Sequence, residues 1–198
     1  MLQCQSRNLA GALALFVAGV FAALPRAVSA DDSLWALIKT GGHVVLMRHA
    51  ITTPGVGDPA GMRLDDCATQ RNLVDTGRKH ARQIGAAFRA RSIPVDRVLS
   101  SPWCRCIETA ELAFGSKPES YAPLGNLFGR PENSERQVRE LTALVSERRS
   151  GGNLVLVSHG STILALTGVS LDTGEMVVVT PRGDGRFTVA GRLAVSDQ

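Results

Sequence analysis

Arg48 and His49 directly follow the apolar run His43-Val-Val-Leu-Met47. His159 follows a second run of the same texture, Asn153-Leu-Val-Leu-Val-Ser158, 110 residues after the first of these histidines. A third run, Val95-Asp-Arg-Val-Leu-Ser100, ends at Ser101-Pro102, with Arg105 just beyond. A neutral imidazole is a nucleophile and a charged one a proton donor. A guanidinium is a planar fork matched to phosphate, and a helix start offers free N–H groups to an anion. One histidine at a strand end is an ordinary structural residue. Two histidines, two arginines and a helix start at one mouth describe a phosphate site. Metal ligation by His49 and His159 would lack a nearby third carboxylate or imidazole, and the arginines would repel the ion. No metal and no cofactor is expected.

These side chains need a scaffold that gathers strand ends. The three runs read as strands buried on both faces. Asp31–Lys39 reads as a short amphipathic helix stopped by Gly41-Gly42. Ile51–Asn72 is rich in Pro, Gly and Asp, a long excursion of the functional kind. Asp75–Arg91 has helical periodicity, with Ala81, Ile84 and Phe88 on one face. Ser101-Pro102 predicts an N-cap and a proline at the first helical position, opening a helix to about Phe114. Ser134-Glu-Arg-Gln137 predicts a capping box. A short helix through Leu166 follows the third strand, and Met176–Thr180 with Arg186–Leu193 forms a closing strand pair. Alternation of strands and helices predicts an α/β sandwich with a mainly parallel sheet. Ligands bind such sheets off the carboxyl ends of the strands.

The chain has 198 residues, 44% hydrophobic, 20% charged and 5% aromatic, which suits one domain and excludes disorder as the main state. So few aromatics and such scattered basic residues argue against nucleic-acid binding. Leu9–Leu24 is apolar but short of the roughly 20 residues a bilayer span needs, and it leads to Pro25-Arg-Ala-Val-Ser-Ala30. Residues 1–30 are expected to be a cleaved signal peptide, with an uncleaved anchor as the alternative. Residues 31–198 are then a single domain with no membrane span. Loss of Arg7 and Arg26 lowers the formal charge from +4 to +2, so charge names no partner. The expected location is the periplasm or the exterior, which permits disulfides. Cys104 and Cys106 are too close on a helix start to pair easily, leaving Cys67–Cys104 or Cys67–Cys106, the former preferred.

Leu46-Met-Arg-His-Ala50 resembles the arginine–histidine signature of the histidine phosphatase superfamily (phosphoglycerate mutase-like, branch 1), with Thr52 where that family has its threonine. Leu73-x-x-x-Gly77-x-x-x-Ala81 resembles its first long helix. Leu99-Ser-Ser-Pro-Trp-Cys-Arg105-Cys-Ile-Glu-Thr109-Ala110 resembles its second arginine segment, and Val155-Leu-Val-Ser-His159-Gly160 its second-histidine segment. The four motifs fall in order within residues 43–168. The resemblance implies a three-layer α/β/α sandwich and a metal-independent phosphatase acting on a small phosphomonoester. It implies His49 as the nucleophile forming a phosphohistidine, His159 as a donor to the phosphoryl group, and Arg48, Arg105 and Thr52 as phosphate ligands.

The sequence departs from that family in three places. Ala50 replaces a glycine, and Gly55 stands near where an asparagine is common. Leu124-Gly125-Asn126 stands where a Leu-x-Glu supplies the acid, and an amide cannot protonate a leaving group. Asp58, Glu119 and Glu132 are the carboxylates on the irregular stretches; none is assigned the role. Glu108, one turn from Arg105, is expected to pair with it. His43 is expected to be structural, His80 solvated, and Trp35 and Trp103 packing residues. The missing acid motivates a second reading, a non-catalytic binder of phosphate ligands on the same scaffold; a mutase is a third.

Overall fold

The computed structural model describes Met1 and residues 29–195. Apart from Met1, Ser29 and Ala30, the expected leader lies outside the described residues. The elements are α1 (Ala30–Lys39), β1 (Val44–Arg48), α2 (Asp75–Ala90), β2 (Val95–Ser100), α3 (Cys104–Phe114), β3 (Glu119–Ser120), α4 (Ser134–Ser146), β4 (Asn153–Ser158), α5 (Gly160–Thr167), β5 (Met176–Gly183) and β6 (Arg186–Leu193). Short 3-10 turns cover Cys67–Thr69, Ala122–Leu124 and Pro131–Asn133.

The strands form one sheet in the order β3-β2-β4-β1-β5-β6. β3, β2, β4 and β1 run parallel to one another, while β5 is antiparallel to β1 and β6 antiparallel to β5. The sheet is therefore mixed and mostly parallel, as the alternation of elements requires. Its two faces follow the period of two along each strand. Val45, Met47, Val155, Val157 and Val178 pack with residues of α1, α2 and α3, among them Ile38, Ile84, Phe88 and Ala110. Val44, Leu46, Leu154, Leu156, Val177 and Val179 pack with Leu141, Val145 and Ile163 of α4 and α5. Strands buried on both sides explain why the first and last apolar runs do not alternate.

Register is what brings distant residues together. Val44 pairs with Leu154 and Arg48 with Ser158, so His49 and His159 follow side by side. The His49 N–H donates to the Ser158 carbonyl at 3.0 Å, and Ser101 N–H to the Val157 carbonyl at 2.9 Å. Three strand ends thus open at one level.

Two predicted helix caps are not formed. Helix α3 begins at Cys104 rather than at Ser101-Pro102; the Ser101 hydroxyl takes the Trp103 N–H at 3.4 Å and lies closer, at 2.8 Å, to the His159 ring. Ser134 does not cap α4, and Gln137 reaches across to the Pro123 and Gly125 carbonyls at 2.9 and 3.0 Å. Those bonds hold the segment that carries Asn126.

Helices α2 and α3 approach closely at Gly85, where a Cβ would stand 1.9 Å from the Ala113 carbonyl oxygen. Gly85→Val should therefore destabilise the fold by about 1–3 kcal/mol through overpacking. A urea midpoint equal to that of the wild type would show that the helices part without cost. The excursion of residues 51–72 is tied to the start of α3 by a Cys67–Cys104 disulfide, and Cys106 is a buried free thiol.

Candidate active site

Arg48, His49, Arg105, His159 and Gly160 line a cavity of about 390 Å³ off the carboxyl ends of β1, β2 and β4, with Gly55, Val56, Gly57, Arg71, Asn126 and Phe128 completing much of its wall. The His49 and His159 rings stand edge to face, their centroids 5.5 Å apart. His49 Nδ1 lies 2.8 Å from the Ala50 carbonyl, which can only accept, so Nδ1 carries the proton and Nε2 keeps its lone pair. The Ala50 N–H in turn donates to the Thr109 hydroxyl at 3.1 Å, which fixes the peptide that orients the ring. His159 Nδ1 accepts from Arg105 at 3.3 Å, and its Nε2 faces the Ser101 hydroxyl at 2.8 Å. A guanidinium cannot accept, so the neutral His159 ring carries its proton on Nε2.

Burial is the main reason His49 is neutral. Together with the charges of Arg105, Arg48 and Arg71, it lowers the pKa to about 3 despite the bond to Ala50. His159 moves the same way, through burial, His49 and the same three arginines. An unfolded chain takes up these protons near pH 6.5, whereas the fold keeps both rings neutral. Stability from His49 is full above pH 6.5 and is lost as pH falls toward 3, and His159 acts in the same direction. The expected slope is about 1.4 kcal/mol per pH unit for each histidine. Urea midpoints between pH 7 and pH 5 should fall less steeply for His49→Phe than for the wild type; equal slopes would contradict a neutral buried His49.

Three guanidinium groups face this space against one carboxylate. Arg105 is 1% exposed and grips Asp58 with both terminal nitrogens, at 2.6 and 3.2 Å. Asp58 also accepts from the Trp103 indole N–H at 3.0 Å. Burial raises the Asp58 pKa, but the bonds and charge of Arg105, helped by Trp103 and the Arg71 N–H, outweigh it and hold the group ionised. Asp58 is therefore an anchor for Arg105, not a proton donor. Arg48 donates to the Leu171 carbonyl at 2.7 Å and Arg71 to the Gly55 carbonyl at 2.7 Å. Arg48, Arg71 and Arg105 each leave a buried Nε–H without a partner. Buried donors left without an acceptor are costly, and an anion in the cavity would satisfy them.

Of the residues picked from the sequence, Arg48, His49, Arg105 and His159 meet in the cavity and Thr52 does not. Thr52 pairs in an isolated bridge with Leu73, and its buried side chain is absent from the cavity wall. Glu108 bonds Arg78 at 2.6 Å rather than Arg105. Glu119 is held by Arg97, and neither it nor Glu132 lines the cavity. The N–H that opens α3 is taken by the Gln70 side chain, so the helix start facing the cavity is that of α5, at Gly160 and Ser161. Arg71 was missed. Its signal was its place at the end of the excursion, two residues before the Leu73 segment. His43 is structural, bridging Thr40 and Thr180, whereas His80 packs against Gly174 and the Val195 carbonyl instead of being solvated. Trp35 packs on Phe88, while Trp103 sits edge-on to His159 and belongs to the site. Among the described residues no three His, Cys, Asp or Glu side chains cluster as metal ligands.

Fold and cavity together define an α/β protein built to hold an anion where parallel strands end. The model of the histidine phosphatase superfamily (branch 1) matches residues 44–127, a span that contains Arg48, His49, Arg71 and Arg105. Over those residues the chain is similar to that superfamily. No curated protein matches it. Solved structures share its fold. The protein histidine phosphatase SixA complexed with tungstate has 19% identity and a TM-score of 0.58, over 77% of this chain and 96% of that one. A putative phosphohistidine phosphatase SixA from Agrobacterium tumefaciens has 21% identity and a TM-score of 0.54, over 78% and 99%. A phosphoserine phosphatase mutant from Entamoeba histolytica, in complex with phosphoserine, has 15% identity and a TM-score of 0.56, over 76% and 95%.

Proposed function

We propose that the chain is an exported phosphomonoesterase that works without a metal and forms a phosphohistidine on His49. The observation that carries this reading is the pairing of a free Nε2 lone pair on His49 with three arginines whose buried Nε–H groups have no partner. Three guanidiniums against the single carboxylate of Asp58 leave two positive charges in excess, which matches a phosphate-ester dianion. Small phosphorylated substrates are typical of the superfamily.

In the first step His49 Nε2 forms a bond to phosphorus as the bond to the ester oxygen breaks, and the leaving alkoxide takes its proton from water. Arg48, Arg71 and Arg105 compensate charge on the non-bridging oxygens during transfer. Water then forms a bond to phosphorus, the N–P bond breaks, and phosphate leaves with His49 neutral again. His159 takes its donor role when Nδ1 is protonated from solvent and the Arg105 N–H turns from it to the phosphoryl group, a change favoured when a dianion fills the cavity. Residues 1–30 act as the export signal, and the Cys67–Cys104 bond suits an oxidising compartment. No helix among the described residues is long and apolar enough to cross a membrane.

The direct test is phosphate release from phosphomonoesters by the mature chain, residues 31–198. Turnover in buffer containing a chelator is expected, with His49→Ala lower by a factor of about a thousand or more. Equal rates for the two proteins would sink the reading. Phosphate binding without turnover of any ester would favour the non-catalytic binder, which the lack of a cavity-lining carboxylate motivates.

A further inference from the structure

A second chamber of about 410 Å³ adjoins the phosphate cavity, and Val56, Gly57, Asn126 and Phe128 line both. We propose that it holds the leaving group, and that Arg130 there binds a second anionic group on the substrate. This rests on the phosphatase reading above and extends it to substrate class: a phosphate ester with an apolar body and another negative charge.

Three observations support the assignment. Arg130 lies on the chamber wall with its guanidinium 5.1 Å from the Trp103 ring centroid, and among the described residues no carboxylate comes within 4 Å of it. Arg130 is exposed, and a cation held over an indole face keeps its N–H groups available for a carboxylate or phosphate. Arg130 is set in place by a tight turn, its N–H donating to the Leu127 carbonyl at 3.0 Å, with Gly129 at φ +71°. That left-handed backbone favours glycine and puts Phe128 and Arg130 on the same chamber.

The rim is apolar. Val56 is 85%, Phe128 55% and Leu164 47% exposed, and all three line one or both chambers. They make up most of the large apolar side chains exposed between residues 29 and 195, and such concentration marks a binding surface. The one carboxylate in the second chamber, Asp58, is neutralised by its two bonds to Arg105, so it does not repel an incoming anion. The geometry thus places phosphate among the histidines, an apolar body against Phe128 and Val56, and a charge at Arg130.

Calorimetry with non-hydrolysable phosphonates tests this whether or not turnover occurs. Arylphosphonates bearing a carboxylate, or a second phosphonate, are compared with an uncharged aryl analogue of the same shape. At least one charged analogue should bind wild type about tenfold more tightly than the neutral one, and the preferred analogue identifies the anion. Arg130→Met should abolish that advantage while leaving the neutral analogue unchanged, and Arg130→Lys should restore part of it. An advantage that survives in Arg130→Met, or none in wild type, overturns the proposal. If instead turnover fails while the advantage holds, the catalytic reading is at fault and the subsite stands.

Discussion

Replacing Arg105 by Ala is expected to lower kcat/KM for every phosphate ester by a factor of about a thousand or more. A guanidinium that meets the transferring phosphoryl group is worth roughly 10³–10⁵ in rate. Arg105 is also the ion-pair partner of Asp58 at 2.6 Å, their side chains 1% and 10% exposed. Removing one member of a buried pair leaves the other unpaired, at a cost of about 3–5 kcal/mol. Arg105→Ala should therefore be both slow and unstable, whereas the Arg105→Ala/Asp58→Asn double variant should recover stability without recovering rate. Steady-state kinetics with paired urea titrations separate the two effects. A double variant as unstable as the single one would show that Asp58 is not the group left exposed to the loss.

Phosphate esters of acidic leaving groups should be hydrolysed at least about a hundredfold faster than those of simple alcohols, since a positioned acid contributes roughly 10²–10⁴. The cavity wall contains no Asp, Glu, Lys, Tyr or Cys among the described residues. Asp58 is committed to Arg105 as a carboxylate. Asn126 accepts on Oδ1 from Ser161 at 2.8 Å and from the Phe128 N–H at 3.1 Å, so only its amide N–H groups remain to offer. An amide can steady a departing oxygen by hydrogen bonding but cannot protonate it. Nitrophenyl phosphate should be a fast substrate and an alkyl phosphate a slow one. Asn126→Glu should raise the alkyl rate selectively. Equal wild-type rates for the two esters would mean that a proton donor acts from elsewhere.

The frame of the site was legible because apolar runs announce strands, and strands buried on both faces announce a parallel sheet. Arg48-His49 and Ser158-His159 could be placed at strand ends without knowing that β1 and β4 are neighbours; the register then made them adjacent. Local signals were weaker wherever tertiary bonds competed. The Ser101 hydroxyl looked like the cap of α3, yet that helix begins at Cys104 and the hydroxyl's shorter contact is with the His159 ring; Gln137 looked like half of a capping box and instead pins the Asn126 segment. Glu108 stood one turn from Arg105, yet it pairs with Arg78 of α2, and Asp58 from the excursion pairs with Arg105. Arg71 was hidden for the same reason. No periodicity governs residues 51–72, so nothing in their spacing says which of them returns to the sheet. The disulfide from Cys67 to Cys104 and the bond from Gln70 to the start of α3 hold that return in place.

Covalent capture of the phosphoryl group addresses the central claim most directly. The mature chain is mixed with a phosphate ester, quenched in base within a turnover, and mapped by mass spectrometry. The account requires a base-stable, acid-labile phosphoryl group on His49, absent from His49→Ala. Turnover with no such adduct, or an adduct on His159 alone, would contradict it.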